Sequence, residues 1–338
     1  MSSTALILLL FGMMLVMIFI GVPVAFSVGI SALTALMIEG IPLSQLITKM
    51  FGGVDSFTVL AIPFYILVGS VMNNGDLTAK LVKFADSLVG HVRGGLAHVN
   101  VLASMFFAGI SGSSTADSAS IGAMLVPSMV QEGYDVGFSA AITAASSSIG
   151  PIIPPSVPAV VYGTVASVSI GRLFIAGAVP GAIMAAAMCI MVYIISRKRG
   201  YEKEGWCGLR ALLHSFRRAF LSLLTVVVIL GGILAGIFTP TEAAMIATFY
   251  AIFLGFFYRT LTPKKLVQAL KEASETTCTV MMIVCGATIF CWILSFERFP
   301  QFVANLFLMY CNNKYIALLL INLFLVFVGM FMDSTPSI

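Results

Sequence analysis

The chain has 338 residues, of which 59% are hydrophobic and only 9% are charged, whereas soluble domains carry about 25% charged residues. A soluble core cannot enclose so much apolar surface, so lipid must be the solvent for most of it. The formal net charge is +4, and the basic residues lie in short segments between apolar runs. This distribution indicates membrane topology and no nucleic-acid binding. The six cysteines lack metal-ligand spacing, so neither a disulfide framework nor a transition-metal site is expected.

Apolar runs recur along the whole length and predict an all-α polytopic membrane protein. The first run precedes every basic residue, the earliest being Lys49, so we predict a retained span and not a secretory signal. Spans are predicted at residues 4–21, 23–39, 57–73, 137–168, 172–195, 217–238, 241–258, 277–295 and 315–331. The stretch 92–132 differs, because a small polar cluster separates two apolar helices there.

The distribution of basic residues sets the expected orientation in the membrane. The segment 196–218 is the richest in arginine and lysine, so it is predicted to be cytoplasmic. The loop 74–95 falls on the same side, and the weakly charged loop 40–56 falls on the periplasmic side. Two amphipathic segments, at 43–52 and 261–272, are then placed on opposite faces of the membrane.

A weak internal repeat relates the two parts of the chain. The similar stretches 107–110 and 327–330 each precede a polar cluster. Similar halves with opposite orientation are typical of inverted-repeat secondary transporters. We therefore predict a first repeat with a cytoplasmic linker over 1–216 and a second repeat over 217–338. The second repeat is expected to be incomplete, because Ile338 lies inside its polar cluster.

The polar cluster within 92–132 is the first candidate site. Non-helical backbone at membrane depth persists only where protein or a water-filled cavity satisfies it, so we predict a re-entrant hairpin. Its tip comprises Ser111, Gly112, Ser113, Ser114 and Asp117. The tip oxygens suit a hard cation, and the N-terminus of the outgoing helix suits an anion. Asp117, a carboxylate at membrane depth, is a functional candidate, although Ser114 or Asp117 could instead be a simple N-cap.

A second candidate site interrupts the predicted span 137–168. Pro151 and the two prolines that follow it remove backbone donors and disfavour helix just before themselves. This frees carbonyl groups near Ser147, Ser148 and Gly150. A broken helix of this kind can supply ligands to a cation and present a helix N-terminus to a carboxylate. The alternative is a plain proline kink.

A third candidate site lies at the end of the chain. Gly329 and Asp333 repeat the pattern of the first cluster, so they are predicted to belong to the tip of a second hairpin. Asp333 would again be a carboxylate at membrane depth. The alternative is that this segment is an external loop.

These three segments together resemble the large membrane subunit of tripartite ATP-independent periplasmic (TRAP) transporters. The similarity covers the whole chain, and its most specific part runs from Gly109 to Asp117 and from Ser146 to Pro155. The resemblance implies an elevator mechanism with two hairpins that hold a small carboxylated substrate between them. This substrate would be a C4-dicarboxylate, a sialic acid or a sugar acid.

The resemblance also implies Na⁺ as the coupling ion and no further cofactor. A first sodium site would involve Ser111, Gly112, Ser113, Ser114 and the break over Ser147, Ser148 and Gly150, and Pro151 is counted with the sodium- or substrate-binding residues. A second would involve Gly329 and Asp333. The implied partners are a small membrane (Q) subunit, here expected as a separate chain, and a periplasmic substrate-binding protein. The implied location is the bilayer of the bacterial inner membrane.

Two other classes of function compete with this interpretation. The segment 109–112 matches the Gly-x-Ser-Gly pattern that resembles rhomboid intramembrane proteases, but that chemistry needs a histidine base near the serine. No span after this segment carries a histidine, so we predict that the protein is not an enzyme. A passive channel or an unrelated transporter is the other alternative.

Overall fold

The computed structural model describes residues 3–201, 205–310 and 313–330, and Asp333 lies outside these ranges. The described residues form fifteen helices and no strand, which confirms the all-α prediction. Within these ranges, four helices are long and apolar enough to cross a membrane, and other apolar helices are shorter. The chain is therefore a polytopic membrane protein.

The helices follow one another through short connections. They are α1 (Ser3–Phe19), α2 (Val24–Glu39), α3 (Ser44–Val54), α4 (Ala61–Asn74), α5 (Leu77–Val89), α6 (Gly95–Ser111), α7 (Ser114–Gln131), α8 (Val136–Ser147), α9 (Val157–Val165), α10 (Ile170–Arg199), α11 (Gly208–Leu234), α12 (Pro240–Phe257), α13 (Pro263–Phe296), α14 (Phe299–Tyr310) and α15 (Lys314–Gly329). By contacts the chain forms two compact units, 1–56 with 277–338, and 57–276.

The first unit is built where the end of α13 meets α1 and α2. Leu10 and Leu36 pack with Ile289 in its core, and all three are fully buried. Gly286 allows the helices to approach closely, because a methyl group there would lie 3.1 Å from the carbonyl oxygen of Ala25.

The second unit contains both candidate sites that the structure describes. Here α12 packs along α4, and threonine hydroxyls on α12 donate to backbone carbonyl groups within α4 or just before it. Thr241 donates to Phe57 at 2.8 Å, and Thr248 donates to Phe64 at 3.2 Å. Helix α6 lies in the interior, packed on one side with α5 and α7 and on another with α8 and α10.

Lipid-facing surfaces are evident on the long helices. On α10, the side chains of Ile175, Val179, Ile183 and Ile190 are each more than half exposed. In water an apolar face of this size would be a strong liability, whereas in a membrane it is the expected outer surface.

Two predicted boundaries differ from the structure. The amphipathic segment 261–272 and the span 277–295 were predicted as separate elements, but α13 runs through both as one 34-residue helix. The reason is local, because no glycine or proline interrupts residues 264–285. The predicted cytoplasmic loop 196–218 is also shorter than expected, since α10 ends at Arg199 and α11 begins at Gly208.

The segment around Pro240 forms the helix start that its sequence indicates. Thr239 is the N-cap of α12, Pro240 is its first residue, and Glu242 completes a capping box. The predicted inverted repeats, 1–216 and 217–338, have other boundaries than the two compact units, which are defined by contacts. The division into repeats stays a prediction.

Candidate functional site

The first candidate site lies where α6 gives way to α7. Gly112 ends α6 with a left-handed backbone, φ 59°, and its N–H donates to the carbonyl oxygen of Ala108. Ser113 has an extended backbone and is the N-cap of α7, where its hydroxyl accepts from the N–H of Ala116 at 3.4 Å. The alternative that Ser114 or Asp117 provides the cap is therefore wrong. Ser114 is instead the first, half-buried residue of α7.

Asp117 occupies the first turn of α7 and is fully buried, at 0% exposure. One carboxylate oxygen, Oδ1, accepts a hydrogen bond from the hydroxyl of Ser111. The other oxygen, Oδ2, is buried and has no hydrogen-bond partner among the described residues. A buried carboxylate oxygen without a donor is costly, so this atom marks a position where a further ligand would be stabilising.

The second candidate site is the interruption between α8 and α9. Helix α8 ends at Ser147 and α9 begins at Val157, so the predicted break is present. Ser156 is the N-cap of α9, and its hydroxyl accepts from the N–H of Ala159 at 3.2 Å. The break therefore leaves carbonyl groups at the end of one half-helix and a capped N-terminus at the start of the other.

The hairpin tip and the break lie against each other, and two glycines make this approach possible. A methyl group on Gly112 would lie 2.9 Å from the backbone nitrogen of Val157 and 3.0 Å from the carbonyl oxygen of Pro155. A methyl group on Gly150 would lie 2.6 Å from Oδ2 of Asp117 and 3.2 Å from the carbonyl oxygen of Ser147. The unpartnered carboxylate oxygen thus faces the backbone of the break.

Some predicted residues stand apart from this contact. The hydroxyl of Ser148 is exposed and donates to the carbonyl oxygen of Ala145 at 2.6 Å. The hydroxyl of Ser147 donates to the carbonyl oxygen of Thr143 at 2.8 Å. The carbonyl oxygen of Ser147 accepts from the N–H of Gly150 at 3.0 Å, which leaves its second lone pair for a ligand. Pro151 contributes a carbonyl oxygen that accepts from the hydroxyl of Ser156.

The third candidate site is described only at its edge. Gly329 is the last residue of α15, is exposed, and belongs to the other compact unit. Asp333 lies outside the described residues. The structure therefore brings Ser111, Gly112, Asp117, Ser147 and Gly150 together, and the role of the third segment stays a prediction.

Sequence reasoning missed a buried polar ladder that ties α6 to α8. The hydroxyl of Ser104 donates to that of Ser146 at 2.9 Å, and Ser146 in turn donates to Oδ1 of Asn100 at 2.9 Å. The amide of Asn100 donates to the hydroxyl of Thr143 at 2.7 Å. The signal that could have found it is Asn100, the one side-chain amide in the mostly apolar helix α6. The ladder fixes the end of α8 beside the hairpin.

The comparison with protein families decides the identity of the chain. Residues 11–338 match the family model described as "Tripartite ATP-independent periplasmic transporter, DctM component". The chain belongs to this family. It is therefore a TRAP large permease subunit and not an enzyme. The hydroxyl of Ser111 donates a hydrogen bond to the carboxylate of Asp117, whereas a rhomboid-like protease would need a histidine base beside that serine.

Named relatives of this TRAP permease act on different organic acids. The chain is 45% identical to the sialic acid TRAP transporter large permease protein of Vibrio cholerae, covering 94% of this chain and 75% of that protein. It is 39% identical to the C4-dicarboxylate TRAP transporter large permease protein of Pseudomonas aeruginosa, covering 92% and 74%. It is also 39% identical to the isethionate TRAP transporter permease protein of Oleidesulfovibrio alaskensis, covering 97% and 52%.

A polar cavity of about 430 Å³ lies beside the hairpin tip of this TRAP permease. Its polar lining residues are Ser70, Asn73, Ser111, Ser113, Thr115, Ser120, Glu272 and Thr276. Among the described lining residues Glu272 is the one that is charged, and its carboxylate accepts from Asn74 at 2.8 Å and from Gln268 at 2.9 Å. The cavity adjoins the N-terminus of α7, where helix dipole and free N–H groups favour an anion.

Proposed function

We propose that this TRAP permease takes up a small organic acid by sodium-coupled secondary transport across the bacterial inner membrane. The observation that carries the proposal is the contact between hairpin tip and broken helix. There, Oδ2 of Asp117 is buried without a donor and faces the backbone at Gly150.

Sodium is the ion that suits this contact. A hard cation takes oxygen ligands, and the contact offers a carboxylate oxygen of Asp117 and the carbonyl oxygen of Ser147. The hydroxyl of Ser111 holds the other oxygen of Asp117 and so fixes the direction of the carboxylate. The described residues contain no cluster of histidine, cysteine and acidic residues that would hold a transition metal. The carboxylate charge would balance the bound ion.

The substrate is proposed to bind in the cavity beside the tip. Its volume of about 430 Å³ lies within the range of about 300–1,000 Å³ that is usual for small-molecule sites. No lysine, arginine or histidine is among the described lining residues, so an anionic substrate would be stabilised by the N-terminus of α7 and the nearby sodium. This arrangement couples the two ligands, because each reduces the electrostatic cost of binding the other.

The named relatives support an organic anion of modest size. Sialic acid and C4-dicarboxylates are carboxylates, and isethionate is a sulfonate of similar charge. We propose a carboxylated substrate for this chain, of the C4-dicarboxylate, sialic acid or sugar-acid class. A periplasmic binding protein would deliver it, and a small membrane subunit would complete the membrane complex.

The proposed mechanism is an elevator movement of inverted repeats. The hairpin at 92–132 would be re-entrant, and the segment with Gly329 and Asp333 would supply the tip of the second hairpin and the second sodium site. Alternating access in inverted-repeat carriers moves one bundle against the other, and in an elevator the moving bundle carries the binding site with it. Such movement would carry the contact at Asp117 and Gly150 as one body, since the ladder from Asn100 to Ser146 ties its helices together.

Sodium dependence is the direct test. The full-length permease would be reconstituted with its small subunit and binding protein, and uptake of labelled organic acids would be measured. We expect accumulation with an inward sodium gradient, because the ion completes the site that the anion needs. If more sodium charge than substrate charge enters, a negative interior adds about 2.3 kcal/mol per net charge for each 100 mV. Equal uptake when potassium replaces sodium would contradict the proposal, and gradient-independent equilibration would indicate a channel.

Accessibility of the hairpin ends is a second prediction. In a variant without native cysteines, Arg93→Cys and Gln131→Cys should both react with a membrane-impermeant thiol reagent from the cytoplasmic side. The reason is that both helices would enter and leave by the same face. Ser44→Cys, in the loop predicted to be periplasmic, is the matched control and should react from the opposite side. Labelling of Arg93→Cys and Gln131→Cys from opposite sides would mean that residues 92–132 simply cross the membrane.

A further inference from the structure

A second cavity, of about 400 Å³, lies in the same compact unit and differs in chemistry from the transport site. It is formed by the first turns of α5, the early part of α11 and the end of α12. Its lining includes the cationic side chains Lys80, Lys83 and Arg218, together with His214. Nothing in the proposed transport cycle uses these residues.

The charge of this basic cavity is not neutralised from within. Asp76 is the one carboxylate among the lining residues that the structure describes, and it is paired with Lys265 at 2.6 Å. The Nζ atom of Lys80 is excluded from solvent and has no hydrogen-bond acceptor among the described residues. Instead it lies 2.8 Å above the centroid of the Tyr258 ring. A shielded ammonium that meets only an aromatic face is missing its anionic partner.

The electrostatics of Lys80 agree with this reading. Burial, together with the charge of Arg218, lowers the pKa of the Lys80 ammonium to about 8. Both causes act against the charged form, and an anion placed between the two side chains would offset them by favouring the charged form.

An exposed aromatic face on α12 leads from the membrane to this cavity. Phe249, Phe253 and Phe257 follow one another at intervals of four residues and are 69%, 61% and 63% exposed. The ring of Phe257 contacts that of Tyr258, with centroids 5.6 Å apart, and Tyr258 lies under Lys80. Eight residues of helix span about 12 Å, which matches a good part of an acyl chain.

We propose that this cavity binds the phosphate of an anionic phospholipid, whose acyl chains lie along the Phe249–Phe257 face of α12. A free phosphate ion would satisfy the cations, but it would leave the continuous aromatic face without a role. Basic pockets between membrane helices near the cytoplasmic surface are suited to such headgroups. The phosphate would link the first turns of α5 to the early part of α11. It would thereby stabilise the position of α5, which leads into the hairpin of α6 and α7.

The test is lipid binding to the delipidated full chain, measured by native mass spectrometry and by the shift of its melting temperature. Phosphatidylglycerol should bind and stabilise the protein more than phosphatidylcholine, and inorganic phosphate should not replace it. In Lys80→Gln/Arg218→Gln, the dissociation constant for phosphatidylglycerol should rise about tenfold or more, as loss of two charges near a lipid surface implies.

Two matched variants keep the test decisive. Lys264→Gln removes an exposed lysine outside the cavity and should bind phosphatidylglycerol as the unmodified chain does. If the double variant fails to fold, Lys80→Arg is measured in its place. This variant keeps the positive charge and should retain most of the binding. Equal binding of the two lipids by the unmodified chain would overturn the proposal. So would undiminished binding by the double variant, and stabilisation by inorganic phosphate alone would assign the site to a free ion.

Discussion

Asp117→Asn should abolish sodium-driven uptake while the protein remains folded. Asn has the size of Asp and can still accept the hydroxyl of Ser111, but it offers a cation no charge. If the carboxylate–sodium contact contributes about 3 kcal/mol, as charge-assisted contacts do, the apparent sodium affinity falls about 100-fold or more. The measurement is uptake against sodium concentration in proteoliposomes, beside a melting curve of the same preparation.

The melting curve separates a functional role from a structural one. An unpaired charge at membrane depth costs about 2.5–3.5 kcal/mol, so removing it should leave the melting temperature unchanged or raise it. If Asp117 served only to stabilise the fold, Asp117→Asn would lower the melting temperature. Asp135→Asn is the matched control, because Asp135 is an exposed carboxylate of the same unit that caps α8, and asparagine caps equally well. Sodium-dependent uptake by Asp117→Asn at normal affinity would remove Asp117 from the sodium site.

The hairpin tip and the broken helix could be predicted from the sequence because the patterns that indicate them are local. Small hydroxylated residues between apolar helices, and prolines within a span, have the same meaning wherever the chain folds. The structure accordingly places helix ends at Ser111 and Ser147, where the sequence indicated interruptions. That the two interruptions meet follows from tertiary packing, and the sequence indicated it only through resemblance to a family.

Residues that act through tertiary contacts could not be found this way. Glu272 lines the cavity beside the hairpin tip, on the helix α13, which continues past the separate amphipathic segment that the sequence suggested. The ladder of Asn100 and Ser146 depends on how α6 and α8 face each other, which periodicity does not determine. The N-cap is Ser113, and neither of the alternatives that the sequence offered, Ser114 and Asp117, has this role, since several neighbouring oxygens fit the same capping pattern.

Gly112→Ala should uncouple the hairpin tip from the broken helix and reduce uptake about tenfold or more. The added methyl group would lie 2.9 Å from the backbone nitrogen of Val157 and 3.1 Å from Cα of Ser156. Both are backbone atoms that no rotamer change can move aside. Overpacking of this kind costs about 1–3 kcal/mol, and the left-handed backbone, φ 59°, adds about 1–2 kcal/mol for an L-residue.

The two contributions can be separated by a second glycine. Gly236 has a similar backbone, φ 70°, but a methyl group there would meet nothing within 4 Å. Gly236→Ala should therefore show only the backbone cost, as a modest fall in melting temperature with uptake preserved. The excess loss in Gly112→Ala then measures the close approach of tip and break, and it should appear mainly as weaker sodium activation. If both variants lose the same stability and the same uptake, the contact at Gly112 does not hold the ion site together. In that case the carboxylate of Asp117 must be positioned by Ser111 alone.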